Sequence, residues 1–120
     1  MGVMKVEDLK VWHKAIDLTA EVYKASRKLP REERFALSSQ MQRAAASIPG
    51  SIAEGFIRAT SRDKARFYNI GRASAEELRT YLVLLPKLGY SPAPPGLFAQ
   101  LDEVCAMLHR LWEVVLGAQR

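Results

Sequence analysis

The sequence predicts an all-α fold, an up-down-up-down antiparallel four-helix bundle with a proline-kinked second helix. Three observations carry that expectation. Apolar residues recur at helical spacing in four stretches, at about 8–28, 32–58, 62–88 and 97–117. The links between them are short and marked by proline, glycine or capping hydroxyls, and short links make successive helices antiparallel neighbours. Between Leu37 and Arg58 the chain carries two stripes instead of one, so this helix has two faces to cover.

In the first helix Leu9, Val11, Trp12, Ala15, Ile16, Leu18 and Val22 form a broad apolar side, with Lys10, Lys14, Asp17, Glu21, Lys24 and Lys28 opposite. Pro30 ends it, because a proline disfavours helical geometry in the residue before it. Glu32 and Glu33 are then expected in the first turn of helix two, where acidic groups favour the helix dipole.

Helix two buries Leu37, Met41, Ala44, Ala45, Ile48, Ile52 and Gly55. Beside that stripe runs a second one of small and hydrogen-bonding side chains, among them Gln40, Arg43, Ser47, Ser51, Glu54 and Arg58. An ordinary surface would be rich in lysine and glutamate; this one suits the close approach of another backbone. With Glu77 of helix three, Gln40, Arg43, Ser47, Ser51 and Glu54 are therefore the candidate oligomer interface. Pro49 removes a backbone donor at a local cost of about 3 kcal/mol. The alternative is a helix ending at Ile48, but the pattern resumes in phase at Ile52 and Gly55, which a kink preserves better than a loop.

Thr60 or Ser61 supplies the cap of helix three, with Asp63 in its first turn. Phe67, Ile70, Gly71, Ser74, Leu78, Tyr81, Leu85 and Leu88 lie on one face, and Leu88-Gly89-Tyr90 reads as its stop. Ser91 to Gly96 is a proline-rich connector, expected to be non-helical. Helix four has the strictest heptad pattern, with Leu101, Val104, Leu108, Leu111 and Val115 joined by Phe98, Cys105 and Trp112.

If helices two and three turn near Thr60, Arg43 is level with Glu77 and Glu54 with Arg66. Two ion pairs, within or between subunits, are expected from that register. Arg58, Arg62, Lys64, Arg66 and Arg72 form the densest basic tract and are the candidate nucleic-acid contacts, which would act by shape and charge without reading sequence.

The 120 residues suffice for one core and a single domain. With 48% hydrophobic and 26% charged residues the composition is globular. No apolar run approaches the roughly 20 residues of a bilayer span, and Met1 to Lys10 holds no signal-type segment. The expectation is a cytoplasmic protein without membrane contact. Cys105 has no second cysteine to pair with, and Cys105, His13 and His109 have no ligand or nucleophile spacing. No phosphate loop or nucleophile elbow is present, so no catalytic residue, metal or cofactor is expected and the chain is read as non-enzymatic. A net charge of +5 favours a polyanionic partner.

Several blocks together resemble a known family. They are Leu9-x-Val11-Trp12, Leu29-Pro30-x-x-Glu33-x-Phe35, Gln40-x-x-Arg43-Ala44-Ala45, Ser47-Ile48-Pro49, Ile52-Ala53-Glu54-Gly55 with Arg58, and Arg72-x-Ser74-x-x-Glu77-Leu78. They resemble the bacterial four-helix-bundle proteins encoded in intervening sequences of large-subunit ribosomal RNA genes. The Ser-Ile-Pro to Ala-Glu-Gly block is the most specific. The chain departs from the family pattern at Gly50-Ser51, Gln42 and Ala73.

The resemblance implies a cytoplasmic, enzymatically inert bundle that assembles into a ring-like homo-oligomer, with a pentamer the favoured form. It also implies similarity to the accessory variability protein of diversity-generating retroelements, which associates with a reverse transcriptase and nucleic acid. The expected function is a scaffold for RNA or DNA and a nucleic-acid enzyme; the alternative is a protein-only assembly module.

Overall fold

The computed structural model describes residues 4–117. Among them are four α-helices and two short 3-10 turns. After a turn at Val6–Asp8, α1 runs Lys10–Ser26; a second turn at Arg31–Glu33 leads to α2, Leu37–Phe56; α3 spans Ser61–Lys87 and α4 Pro95–Gly117. No described helix is long and apolar enough to cross a membrane.

Each helix packs on two others. The backbone of α1 runs close to α2 and α4, that of α3 close to α2 and α4, and the backbones of the diagonal pairs stand farther apart. Cross-helix partners run in opposite directions along the chain, as antiparallel neighbours require. Thr19 meets Ala45 and Ser26 meets Ser38 between α1 and α2. Ser47 meets Ser74 and Tyr81 meets Gln40 between α2 and α3. The shared interior is filled by Leu18, Met41, Ile48, Ile52, Leu78, Leu82, Leu101 and Leu108. Each of these except Leu18 lies four or seven residues from another on its own helix, so the core is four stripes brought face to face.

The capping chemistry read from the sequence is in place at both ends of α3. Thr60 Oγ1 accepts from Asp63 N at 3.1 Å. At the other end Gly89 has φ +86°, Tyr90 N donates to Leu85 O and Gly89 N to Pro86 O. That pair of bonds is a Schellman stop and needs a left-handed residue, which glycine supplies without strain.

Two boundaries differ from expectation. α2 starts at Leu37 instead of about residue 32, so Glu32 and Glu33 lie outside its first turn. Glu33 still serves the helix from upstream, because its Oε1 accepts from Leu37 N at 3.4 Å. The connector ends earlier than expected, with Pro95 and Gly96 already in α4. Proline fits a first helical position, where its missing N–H has no intrahelical acceptor to serve and its φ is already helical.

α2 continues unbroken through Pro49, so it does not end at Ile48. Pro49 has no N–H to offer Ala45 O, the acceptor one turn back. Thr19 of α1 takes over that role, its hydroxyl lying 3.1 Å from Ala45 O and 2.8 Å from Ala15 O, so that a single proton is shared between two helices. A proline in a buried helix is thus tolerated because the neighbour supplies the donor. Thr19→Val, which keeps the shape and deletes the hydroxyl, is expected to destabilise the fold by about 1–2 kcal/mol. Restoring the N–H with Pro49→Ala should shrink that penalty. Denaturant unfolding of the two single variants and the double variant measures both effects; a penalty unchanged by Pro49→Ala would mean that Thr19 acts through Ala15 alone.

Candidate nucleic-acid interface

The turn between α2 and α3 gathers the basic tract, and the fold gives its members different work. Lys64 is a cap: its Nζ donates to Phe56 O at 2.6 Å and lies 3.4 Å from Gly55 O, placing a cation on the negative end of α2. Arg58 pairs with Glu54, Nη2 to Oε2 2.7 Å, and its guanidinium carbon lies 4.3 Å from the Phe67 ring centroid. Its Nε is buried without a partner. Arg66 also stacks on Phe67, at 4.5 Å. Arg62 is exposed.

Arg72 stands farther along α3, 4.2 Å from the Trp112 ring centroid, and donates to Asn69 Oδ1 at 3.2 Å. Between the first half of α3 and the end of α4 a cleft of about 570 Å³ is lined by Arg62, Asp63, Arg66, Asn69, Trp112 and Leu116 along with Ala65. The tract therefore divides. Arg62 and Arg66 line this cleft and Arg72 lies on its Trp112, whereas Lys64 and Arg58 are tied to the end of α2. A guanidinium laid flat on an aromatic ring keeps its charge and its outward N–H edge, the geometry that serves phosphate oxygens.

The second stripe of α2 does admit a close backbone, and that backbone is α3 of the same chain. Ser74 Oγ donates to Ile70 O at 3.0 Å, so in the 2.8 Å Ser47–Ser74 contact Ser47 must be the donor. Ser51 is buried, and a Cβ built on Gly71 would meet its Cβ at 3.4 Å. Gly55 lies under Tyr68. Ser51 thus belongs to the intrachain helix pair, and Ser47 is half used by it. Gln40, Arg43, Glu54 and Glu77 remain exposed. Beside them the outer face of α2 and α3 carries exposed Ala46, Gly50 and Ala73, with Ile57 at 74% and Ile70 at 42% exposure.

The two expected ion pairs do not form within the chain. Glu54 is taken by Arg58, Arg66 lies on Phe67, and Glu77 Oε1 accepts from the Tyr81 hydroxyl at 2.7 Å. The register behind that expectation is sound to within one residue, as the Ser47–Ser74 and Gln40–Tyr81 contacts show. Height along the helices is right; rotation about their axes assigns other partners.

Sequence reasoning assigned Phe67 and Trp112 to the apolar stripes and left Asn69 out of the site. A signal was present. Arg72 and Arg79 are seven apart on α3, as are Cys105 and Trp112 on α4, and the antiparallel pair sets Arg72 on Trp112 and Arg79 beside Cys105. The proline-rich connector hides that register from the sequence. Arg79 also binds Asp102. Burial pushes the Cys105 thiol up from its ordinary value against the opposing pull of Arg79, which suits a packing role. His13 Nε2 donates to Glu7 O, and His109 lies 3.3 Å from Glu113.

Compared with known proteins, the chain matches the family described as 23S rRNA-intervening sequence protein over residues 7–110. No curated protein matches its sequence.

Proposed function

Since the chain belongs to the 23S rRNA-intervening sequence protein family, we propose that it is a non-enzymatic, homo-oligomeric scaffold that binds nucleic acid through basic surfaces. The favoured assembly is a pentameric ring acting in the cytoplasm as an accessory to an RNA or reverse-transcriptase complex. The observation that supports this reading best is one cleft lined by Arg62 and Arg66 beside Asp63, with Arg72 lying on the Trp112 ring at its wall. Repeated around a ring, such a cleft would engage one RNA several times, and weak contacts would multiply.

Binding of this kind releases counterions, so affinity falls steeply with salt. Replacing Arg62, Arg66 and Arg72 together by glutamine is expected to lower affinity for a generic RNA at low salt by about tenfold or more and to flatten the slope of log affinity against log salt by about 2. RNA titrations at two salt concentrations, with light scattering for subunit number, test the reading. An RNA affinity that the triple variant leaves unchanged would reject this surface.

A protein-only assembly module is the second reading, favoured by the exposed Ile57 and Ile70 on the outer α2–α3 face. It predicts an oligomer that binds no RNA even at low salt.

A further inference from the structure

Arg31-Glu32-Glu33-Arg34 reads along the chain as a self-neutralising run, and the fold takes that neutrality apart. Glu33 is drawn to Tyr90, whose hydroxyl donates to its Oε2 at 2.6 Å, and to Leu37 N. Arg31 and Arg34 instead line a cleft of about 600 Å³ with Arg27 from the end of α1. Among the described residues no acidic side chain lines this cleft, and none of the three arginines has an ion-pair partner.

The floor of the cleft is ordered by its own hydrogen bonds. Ser26 Oγ donates to Tyr23 O at 2.9 Å, so it can only accept from Gln42 Nε2, at 2.8 Å. That fixes which way the Gln42 amide points. Ser38 Oγ donates to Ser26 O at 3.2 Å. Ser39 lines the same floor. At the rim stands Phe35, 87% exposed, with the Arg34 guanidinium carbon 5.2 Å from its ring centroid.

We infer that this cleft binds the phosphate of a nucleotide-type ligand, held by Arg27, Arg31 and Arg34, with the base stacked on Phe35. Three guanidinium forks around one concavity match the several oxygens and the double charge of a phosphomonoester, and bidentate arginine contacts are the strong form of that recognition. An exposed aromatic beside a phosphate clamp is the arrangement that takes a base by stacking, without regard to its identity. The cleft lies at the start of α2 and the Arg62–Trp112 cleft beyond its end, roughly 30 Å away at 1.5 Å per residue. The two sites therefore stand or fall separately.

Calorimetric titration of the full chain at low salt with uridine 5′-monophosphate, uridine and inorganic phosphate tests the site. The nucleotide is expected to bind, inorganic phosphate to compete with it, and uridine to give no measurable binding. Arg31→Gln with Arg34→Gln should weaken nucleotide binding by about tenfold or more, with helical content unchanged. Arg62→Gln with Arg66→Gln should leave it as it was, whatever happens to RNA binding. Phe35→Ala should weaken the nucleotide but not inorganic phosphate.

A 5′-phosphorylated oligouridylate that binds more tightly than its 5′-hydroxyl form would identify a chain end as the source of the phosphate; equal binding of the two, with tight mononucleotide binding, would identify the free nucleotide. Absence of nucleotide binding, uridine binding as tight as that of the nucleotide, or binding that survives loss of Arg31 and Arg34 overturns the phosphate site. Nucleotide binding that ignores Phe35→Ala overturns the stacking.

Discussion

Leu108→Ala is expected to lower the free energy of unfolding by about 2–5 kcal/mol. Leu108 is fully buried on the α4 stripe. It fills a groove that α3 leaves open at Gly71, where an added Cβ would come to 3.1 Å from Leu108 Cδ2. Truncating the leucine removes its burial and leaves a hole on both sides of that contact. α3 and α4 are each held by a second helix, so they cannot close it by moving together.

The same geometry predicts a coupling. Gly71→Ala alone should be close to neutral, since a flexible leucine end must yield by a few tenths of an ångström while alanine gains about 1 kcal/mol of helix propensity over glycine. In the Leu108→Ala background the obstacle is gone, and Gly71→Ala should be stabilising. Denaturant unfolding of the four chains at one fixed protein concentration gives the coupling energy; a value indistinguishable from zero would show that the two positions do not share this space.

Gly55→Leu is expected to destabilise the fold by about 3 kcal/mol, through overpacking instead of a void. A Cβ at Gly55 would lie 2.6 Å and 2.8 Å from two ring carbons of Tyr68 and 3.2 Å from Lys64 O. Tyr68 is 2% exposed, so its ring has nowhere to swing, and the backbone of α3 cannot retreat without parting from α4. Gly55→Ala should cost less, because it adds only the Cβ to this contact and leaves the rest of the leucine volume out. The damage falls where Lys64 caps α2 and the basic tract begins, so RNA affinity should fall along with stability. Gly50→Ala is the control: nothing lies within 4 Å of its added Cβ, and thermal unfolding should be unchanged or shifted slightly upward. A melting temperature that Gly55→Leu leaves in place would show that α2 and α3 are not in the contact described.

The candidate sites were legible only in part. Arg62, Arg66 and Arg72 stand out by charge density, but Lys64 in the same tract is a helix cap, and nothing local marks the difference. Arg27, Arg31 and Arg34 do not stand out in the sequence: Glu32 and Glu33 separate the last two, charge adjacent in sequence cancels on paper, and only in the fold do Tyr90 and Leu37 draw Glu33 elsewhere. Ser51 has the chemistry of an interface residue and serves one, between two helices of its own chain.

Residue pattern alone was enough for the four helices, a capping hydroxyl at Thr60 or Ser61, the stop at Gly89 and the register of the α2–α3 hairpin to within one residue. Those depend on periodicity and on backbone chemistry spanning a few residues. It took the packed bundle to show that Thr19 answers for Pro49, that Arg72 lies on Trp112 and that Glu54 meets Arg58 in place of Arg66. Such pairings are set by how far each helix is rotated about its own axis when all four stripes pack at once, and no single stripe carries that angle.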